Sequence, residues 1–220
     1  MEKILVSWSG GKDSAFALYE ILRTKRYDVS ALLTTVTESY GRTSMHGVRQ
    51  ELAEKQAAAI GLPLEKVFIC ANSSNEEYEN RMREVLERQK VQGVSSVAFG
   101  DIFLEDLRKY REEKLGQVKM RGIFPLWRRD TVELAREFIS SAFKAVITCI
   151  DTTYLDKSFA GREYDELFLK DLPENVDQCG EKGEFHSFVY DGPIFNSSLS
   201  CKKGEVVLRD NHFYYCDLLP

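Results

Sequence analysis

The stretch Ile4-Leu5-Val6-Ser7-Trp8-Ser9-Gly10-Gly11-Lys12-Asp13-Ser14 decides how the chain is read, because an apolar run passes through a glycine pair into Ala15-Phe16-Ala17-Leu18-Tyr19-Glu20-Ile21-Leu22. The first part reads as a buried strand and the last as an amphipathic helix. Strand, glycine turn and helix start together aim backbone N–H groups at an anion. Gly10 and Gly11 allow positive φ and close backbone approach. Ser9 and Ser14 add hydroxyls, and Lys12 adds a point charge on what reads as an exposed turn.

Two common phosphate loops are excluded by the letters themselves. A Walker A loop needs Ser or Thr after its Gly-Lys and a glycine five places before that pair's Gly. Here Asp13 follows Lys12, and Val6 stands where the first glycine would be. A dinucleotide fingerprint needs a third glycine beyond the turn, where Asp13 and Ser14 stand instead. Ser9 to Ser14 instead resembles the PP-loop of N-type ATP pyrophosphatases, and that resemblance implies a loop that holds pyrophosphate during attack at the α-phosphorus. A plain helix start with Asp13 as its cap is the structural alternative.

The 220 residues suit one large domain, or a domain with a smaller appendage, and 43% hydrophobic with 30% charged residues is ordinary for a globular chain. No apolar run reaches membrane-spanning length, and the chain starts on a strand rather than a charged-then-apolar leader, so no membrane and a cytoplasmic location are expected. Five cysteines, an odd number without a Cys-x-x-Cys pair, do not form a disulfide framework or a zinc finger. A net charge of −5 disfavours general nucleic-acid binding. A local basic run remains: eight Lys and Arg against three acids from Arg108 to Asp130, either a solvated helix face or the border of an anion site.

Along the chain, strands are expected at Val29 to Val36, Glu65 to Cys70, Val94 to Phe99 and Lys144 to Ile150. Helices are expected at Val48 to Ile60, Asn75 to Lys90, Leu104 to Lys114, Thr131 to Ser141 and Glu163 to Leu169. Gly122 to Trp127 reads as a short extended segment. This alternation indicates an α/β fold with a doubly wound, five-stranded parallel sheet at 1–153 and a smaller α+β part at 154–220. Glu184 to Tyr190 alternates like a strand, and a terminal hairpin surrounds Asp210-Asn211. The carboxyl edge of such a sheet carries the ligand crevice, so Ser9 to Ser14, the His46 loop and Gly100-Asp101 should meet there.

Cys179-Gly180-Glu181-Lys182-Gly183-Glu184-Phe185-His186-Ser187, continuing to Asp191-Gly192-Pro193, carries a sharper resemblance together with Gly100-Asp101, Pro125-Leu126-Trp127 and Gly161-Arg162. Over nearly its whole length the chain resembles the diphthine–ammonia ligase family, a Rossmann-like PP-loop branch of the adenine nucleotide alpha hydrolase (HUP) class. His46 to Arg49, Cys179 and the segment Asp101 to Glu112 resemble the bacterial-type branch. The resemblance implies that ATP and Mg2+ adenylate a small-molecule or protein-borne carboxylate, that pyrophosphate leaves, and that ammonia displaces AMP. For this branch the ATP chemistry carries over better than diphthine as the acceptor.

On that basis Ser9, Gly10, Gly11, Lys12, Asp13, Ser14, His46 and Gly100 are the expected nucleotide-binding residues, and Asp13 and Asp101 the expected metal ligands. Lys12 acts on the leaving group. Glu184 and His186, within the cluster that also holds Glu181, are expected to handle protons; an exposed strand face is the bland reading. Cys70 and Cys149 read as core, and Cys179 as the one plausible reactive thiol. A tRNA-modifying thiolase and a non-catalytic nucleotide sensor are the rival functions, and pairing with a second copy is left open.

Overall fold

A computed structural model describes residues 1–43, 47–71 and 73–220. Two sheets share one body. The first contains β1 (Glu2–Ser7), β2 (Tyr27–Thr37), β3 (Arg42–Thr43), β4 (Leu64–Ile69), β5 (Val94–Ala98) and β6 (Arg121–Ile123). Its parallel strands run β4-β2-β1-β5-β6, with the two-residue β3 antiparallel to the end of β2. The second sheet is antiparallel throughout, in the order β8 (Phe185–Asp191), β7 (Lys144–Asp151), β10 (Phe213–Leu219), β9 (Lys202–Arg209).

The doubly wound parallel sheet expected from the alternation is present, but its fifth strand is not the expected one. Arg121–Ile123 pairs with β5 and completes the parallel set, whereas Lys144–Asp151 lies between β8 and β10 in the antiparallel sheet. A continuous apolar run signals burial on both faces and is silent about which partners cover it.

β1 shows that burial most plainly: Ile4 and Val6 face one core and Leu5 the other. On the first face lies α1 (Lys12–Thr24), whose Ala15, Phe16, Leu18 and Ile21 are buried together with Leu134 and Phe138 of α5 (Thr131–Ser140). Phe138 stacks on Phe143 at 4.7 Å, and Phe16 meets both rings edge-on. Each such ring contributes about 2–3 kcal/mol when removed from water. On the other face, α3 (Asn75–Val91) and α4 (Glu105–Gln117) supply Val85, Leu86 and Leu115. Asp130 caps α5, accepting from Glu133 N at 3.0 Å, and Ser74 caps α3 in the same way.

α2 (Gln50–Ile60) joins the two sheets. Its Ala57 and Ile60 pack in the first core, while Leu52 packs against Val146, Phe188 and Leu218 of the antiparallel sheet. Gly61 ends it at φ +84°, as a left-handed helix stop requires. The C-terminal hairpin turns through Asp210 and Asn211, both at φ 52°, the pair of left-handed residues a tight β turn of this hand needs. The expected helix at Glu163 to Leu169 starts later, as the short α6 (Glu166–Asp171), because Asp165 caps it through Phe168 N at 2.8 Å.

Candidate functional site

In the order β4-β2-β1-β5-β6 the direction of winding reverses between β1 and β5, and the crevice of an open α/β sheet opens at that reversal, beyond the carboxyl ends. Ser7 to Ser14 leave β1 there, and Phe99-Gly100-Asp101 leave β5. A cleft of about 230 Å³ lies between them, closed on its far side by Gly180, Glu181, Gly183, His186 and Ser187 of the second half of the chain. A second cleft, of about 220 Å³, adjoins it and is lined largely by apolar groups and threonines, among them Leu33, Thr34, Thr35, Tyr78, Met82 and Leu86.

The loop is held from behind. Gly10 sits at φ +80°, and Val189 N donates to its carbonyl at 2.9 Å. Gln56, fully buried, donates from Nε2 to Gly10 O (2.9 Å) and Val189 O (2.6 Å) and accepts from Trp8 Nε1 (3.0 Å). A Cβ on Gly10 would meet Gln56 Oε1 at 2.6 Å, so only glycine fits. Gly11 is the residue before α1 and brings no side-chain cap; Ser187 Oγ takes the Lys12 N–H, so those of Asp13 and Ser14 are the ones the helix start can offer an anion. Gly100 is needed for a different reason: a Cβ there would come within 2.7 Å of the Asp13 carbonyl group. It lets β5 close against the helix start at the edge of the cleft.

The serines are partly used up within the loop. Ser9 Oγ accepts from Gly11 N at 3.2 Å and lies 3.1 Å from Ser14 Oγ, which donates to Gly11 O at 2.9 Å. Ser14 is buried, so Ser9 is the more available hydroxyl.

Lys12 differs from its expected exposed turn. It is 4% exposed, with its ammonium bound by Asp13 Oδ1 and Oδ2 (3.0 and 2.9 Å) and the Cys179 carbonyl, over the rings of Phe185 and Tyr164. Burial opposes its charge, yet Asp13, Cys179 and Glu181 together more than offset this and the ammonium stays above its ordinary range. The physical reason is that the second half of the chain folds over the helix start: Ser187 Oγ also takes the Lys12 N–H at 3.1 Å. Lys12 therefore cannot be removed without cost to the fold.

Asp13 is about one-third exposed and lines the cleft. Asp101 also lines it but is engaged: Arg111 of α4 approaches its Oδ2 through Nε at 2.8 Å and donates to Oδ1 through an Nη at 3.2 Å. Burial raises the Asp101 carboxyl above its usual range, Arg111 opposing and Asp13 adding to the shift.

The two glutamates of the 181–184 segment, three residues apart, have different jobs. Glu181 lines the cleft, its Oε1 accepting from Ile102 N (2.7 Å) and Phe103 N (3.3 Å), and burial, with Asp13 nearby, pushes its carboxyl up to about 7. Glu184 is 0% exposed and does not line the cleft; its two oxygens accept from Asp177 N (3.2 Å) and Lys182 N (2.9 Å) and tie the segment into a loop. Glu184, expected to handle protons, thus lies away from the cleft and Glu181 lines it instead, because β8 begins at Phe185 and the side chain before it is buried. His186 does line the cleft, half-buried, and burial with the charge of Lys12 pulls its imidazole down to about 4, so it is a neutral polar group at neutral pH.

Cys179, expected as the one plausible reactive thiol, lacks the exposure and lowered pKa that thiolate chemistry needs. It is buried, donates to Thr131 O at 3.3 Å, and burial pushes its pKa up to about 12. Cys149 is buried as expected, but Cys70 is exposed just past β4, and all five cysteines are free. His46 lies outside the described residues. Of the basic run from 108 to 130, six members are paired with acids, and Arg111 alone reaches the polar cleft. Gln56 is not among the residues expected at the site, and Arg111 enters that expectation only as a member of the basic run that could border an anion site. Gln56 stands at a core-facing position of α2 where the helical stripe calls for an apolar residue, and that was its only signal.

Comparison with known proteins finds matches along nearly the whole chain. The family model for the diphthamide synthase N-terminal domain matches residues 2–121, and that for the C-terminal domain matches 130–217. Diphthine–ammonia ligase of Danio rerio is 28% identical over 92% of this chain and 88% of its own length, and that of Homo sapiens 26% identical over 91% and 83%. Among solved structures, the U34-tRNA thiolase NcsA from Methanococcus maripaludis with its 4Fe-4S cluster overlays 63% of this chain and 57% of its own at 17% identity and a TM-score of 0.40. No helix of the described residues is long and apolar enough to cross a membrane.

Proposed function

From the premise that the chain belongs to the diphthamide synthase family, we propose that it is an ATP-dependent amide ligase that adenylates a carboxylate and then exchanges AMP for ammonia. A carboxylate oxygen of the acceptor attacks the α-phosphorus, the bond from that phosphorus to the α–β bridging oxygen breaks, and pyrophosphate leaves. Ammonia then attacks the acyl carbon, its C–O bond to AMP breaks, and a proton is lost from nitrogen. The carrying observation is that the helix start of α1 and the Glu181 carboxyl face one cleft from opposite halves of the chain.

The apolar cleft takes the nucleoside and the polar cleft the phosphates, an assignment supported by the contrast between their linings. First-turn N–H groups of α1, with Lys12 behind them, stabilise charge on the leaving pyrophosphate. The polar cleft carries three carboxylates, Asp13, Asp101 and Glu181, against Lys12 and Arg111, so a bare triphosphate would meet an acidic wall. That donor set suits Mg2+, which is held by one or two carboxylates together with phosphates and water. Asp13 and Asp101 would hold it, each a cleft carboxylate that now faces a cation, Lys12 and Arg111 respectively. When bound, the ion neutralises phosphate charge.

Glu181, poised near neutrality at the acceptor side, takes the proton released as ammonia adds. His186, neutral, orients the acceptor or the nitrogen by hydrogen bonding. The acceptor side lies after residue 153, in the family's C-terminal domain, and the reaction belongs in a reducing cytoplasm, where five free thiols are stable. Diphthine is the family's acceptor; any carboxylate able to pass between α4 and the 180–183 segment meets the same chemistry. Nothing around Cys179 supports a thiolase reading, since its thiol is buried and held protonated.

The test is product analysis with Mg2+, ammonium and a panel of carboxylates including diphthine-bearing elongation factor. AMP, pyrophosphate and an amide in equal amounts are expected. ADP with phosphate, or stimulation by tRNA alone, would overturn the reading.

A further inference from the structure

We propose that Arg111 is a catalytic residue of the adenylation step, binding the non-bridging oxygens of the α-phosphate where the two clefts meet. The inference rests on the adenylating reading given above. In ATP the α-phosphorus stands between the nucleoside and the pyrophosphate, so its place in this molecule is the junction of the apolar and polar clefts. Four described residues line both clefts, namely Ser7, Ser9, Phe99 and Arg111, and Arg111 alone among them carries a charge.

Its setting fits that task. The guanidinium lies over the Phe99 ring at 4.3 Å, which fixes its plane while leaving its edge for an oxygen pair. Asp101 occupies that edge without satisfying it: Nε and Oδ2 stand 2.8 Å apart but are not aligned as a hydrogen bond, and both atoms are buried with no other partner among the described residues. A buried, unaligned donor costs free energy until a better acceptor arrives. A tetrahedral phosphate offers two oxygens in the geometry a guanidinium fork accepts. Lys12 cannot serve the same atom, because its ammonium is directed to Asp13 and the Cys179 carbonyl. As the acceptor oxygen bonds to the α-phosphorus and the bond to pyrophosphate breaks, charge shifts onto the non-bridging oxygens, and Arg111 exchanges Asp101 for them.

The experiment measures binding of the two α-phosphorothioate diastereomers of ATP to the full chain, with AMP release from ATP as a second readout. The wild type is expected to prefer one diastereomer by about tenfold or more, because sulfur replaces the oxygen that an arginine would bind. Arg111→Gln should bring the two within about twofold of each other and lower AMP release by about 100- to 1,000-fold. Arg111→Lys keeps a cation opposite Asp101 and so protects the fold; it too should lose the preference, since an ammonium has no fork. A preference unchanged in Arg111→Lys, or AMP release by folded Arg111→Gln within threefold of wild type, would overturn the proposal. A wild type that shows the Arg111-dependent preference yet yields no AMP with any carboxylate would overturn the adenylating reading and leave α-phosphate binding by Arg111 standing.

Discussion

The two clefts at the sheet edge are nearly equal in size, about 230 and 220 Å³, and are built in opposite ways. The apolar one is walled mainly by side chains of β1, β2, α3 and α4, all within the first 115 residues, and its form follows from core packing. The polar one is walled by a backbone loop and by charged groups, and a third of its lining arrives from residues more than 160 positions later, as the Lys12–Ser187 and Lys12–Cys179 contacts show. Packing defines a shape that tolerates small changes; converging charges and N–H groups tolerate few. Substitutions in the polar cleft should therefore act on turnover, and those in the apolar cleft on nucleotide affinity.

The largest effect is expected for Lys12→Ala. AMP release should fall about 1,000-fold, with a loss of about 1–3 kcal/mol of stability because the Cys179 carbonyl and Asp13 lose a buried partner. Turnover within tenfold of wild type would erase the distinction between the clefts, and a denaturant titration reads the second number.

Glu181→Gln comes next, with amide formation down about 100-fold while pyrophosphate release persists. The wild-type rate should rise with pH through a midpoint of about 7, as Glu181 loses its proton, and that limb should vanish in the variant. Stability moves the other way. A carboxyl raised from 4.5 to about 7 contributes fully below about pH 4.5 and loses that contribution as pH rises through 7. The melting temperature of Glu181→Gln should lack this fall; an identical pH profile in the two proteins would remove Glu181 from the proton-transfer role.

In the apolar cleft, Met82→Ala should raise KM for ATP about tenfold with kcat unchanged, the effect of losing apolar contact with a bound base. A kcat loss larger than the KM change would mean that this cleft does more than bind. Glu184→Gln should change turnover per folded molecule least of all, while costing about 1–3 kcal/mol, since its oxygens serve Asp177 and Lys182 rather than the cleft. A 100-fold turnover loss with intact stability would return Glu184 to the chemistry.

Local pattern alone determined a good deal here. The phosphate loop, its strand and its helix, the caps at Asp130 and Gly61, and the hairpin at Asp210-Asn211 all depend on neighbours within a few residues, and each is formed. So is the meeting of Ser9 to Ser14 with Gly100-Asp101, which follows from where strands of an α/β sheet end. Only tertiary structure decided that Lys144–Asp151 leaves the parallel sheet, that Lys12 is buried, and that Glu181 rather than Glu184 faces the site. Those outcomes depend on which surface covers a residue from far along the chain. A run of apolar or charged letters states how much burial or charge a segment carries, but the partner that sets its direction is fixed by packing between the two sheets, with Gln56 and β8 closing over the loop.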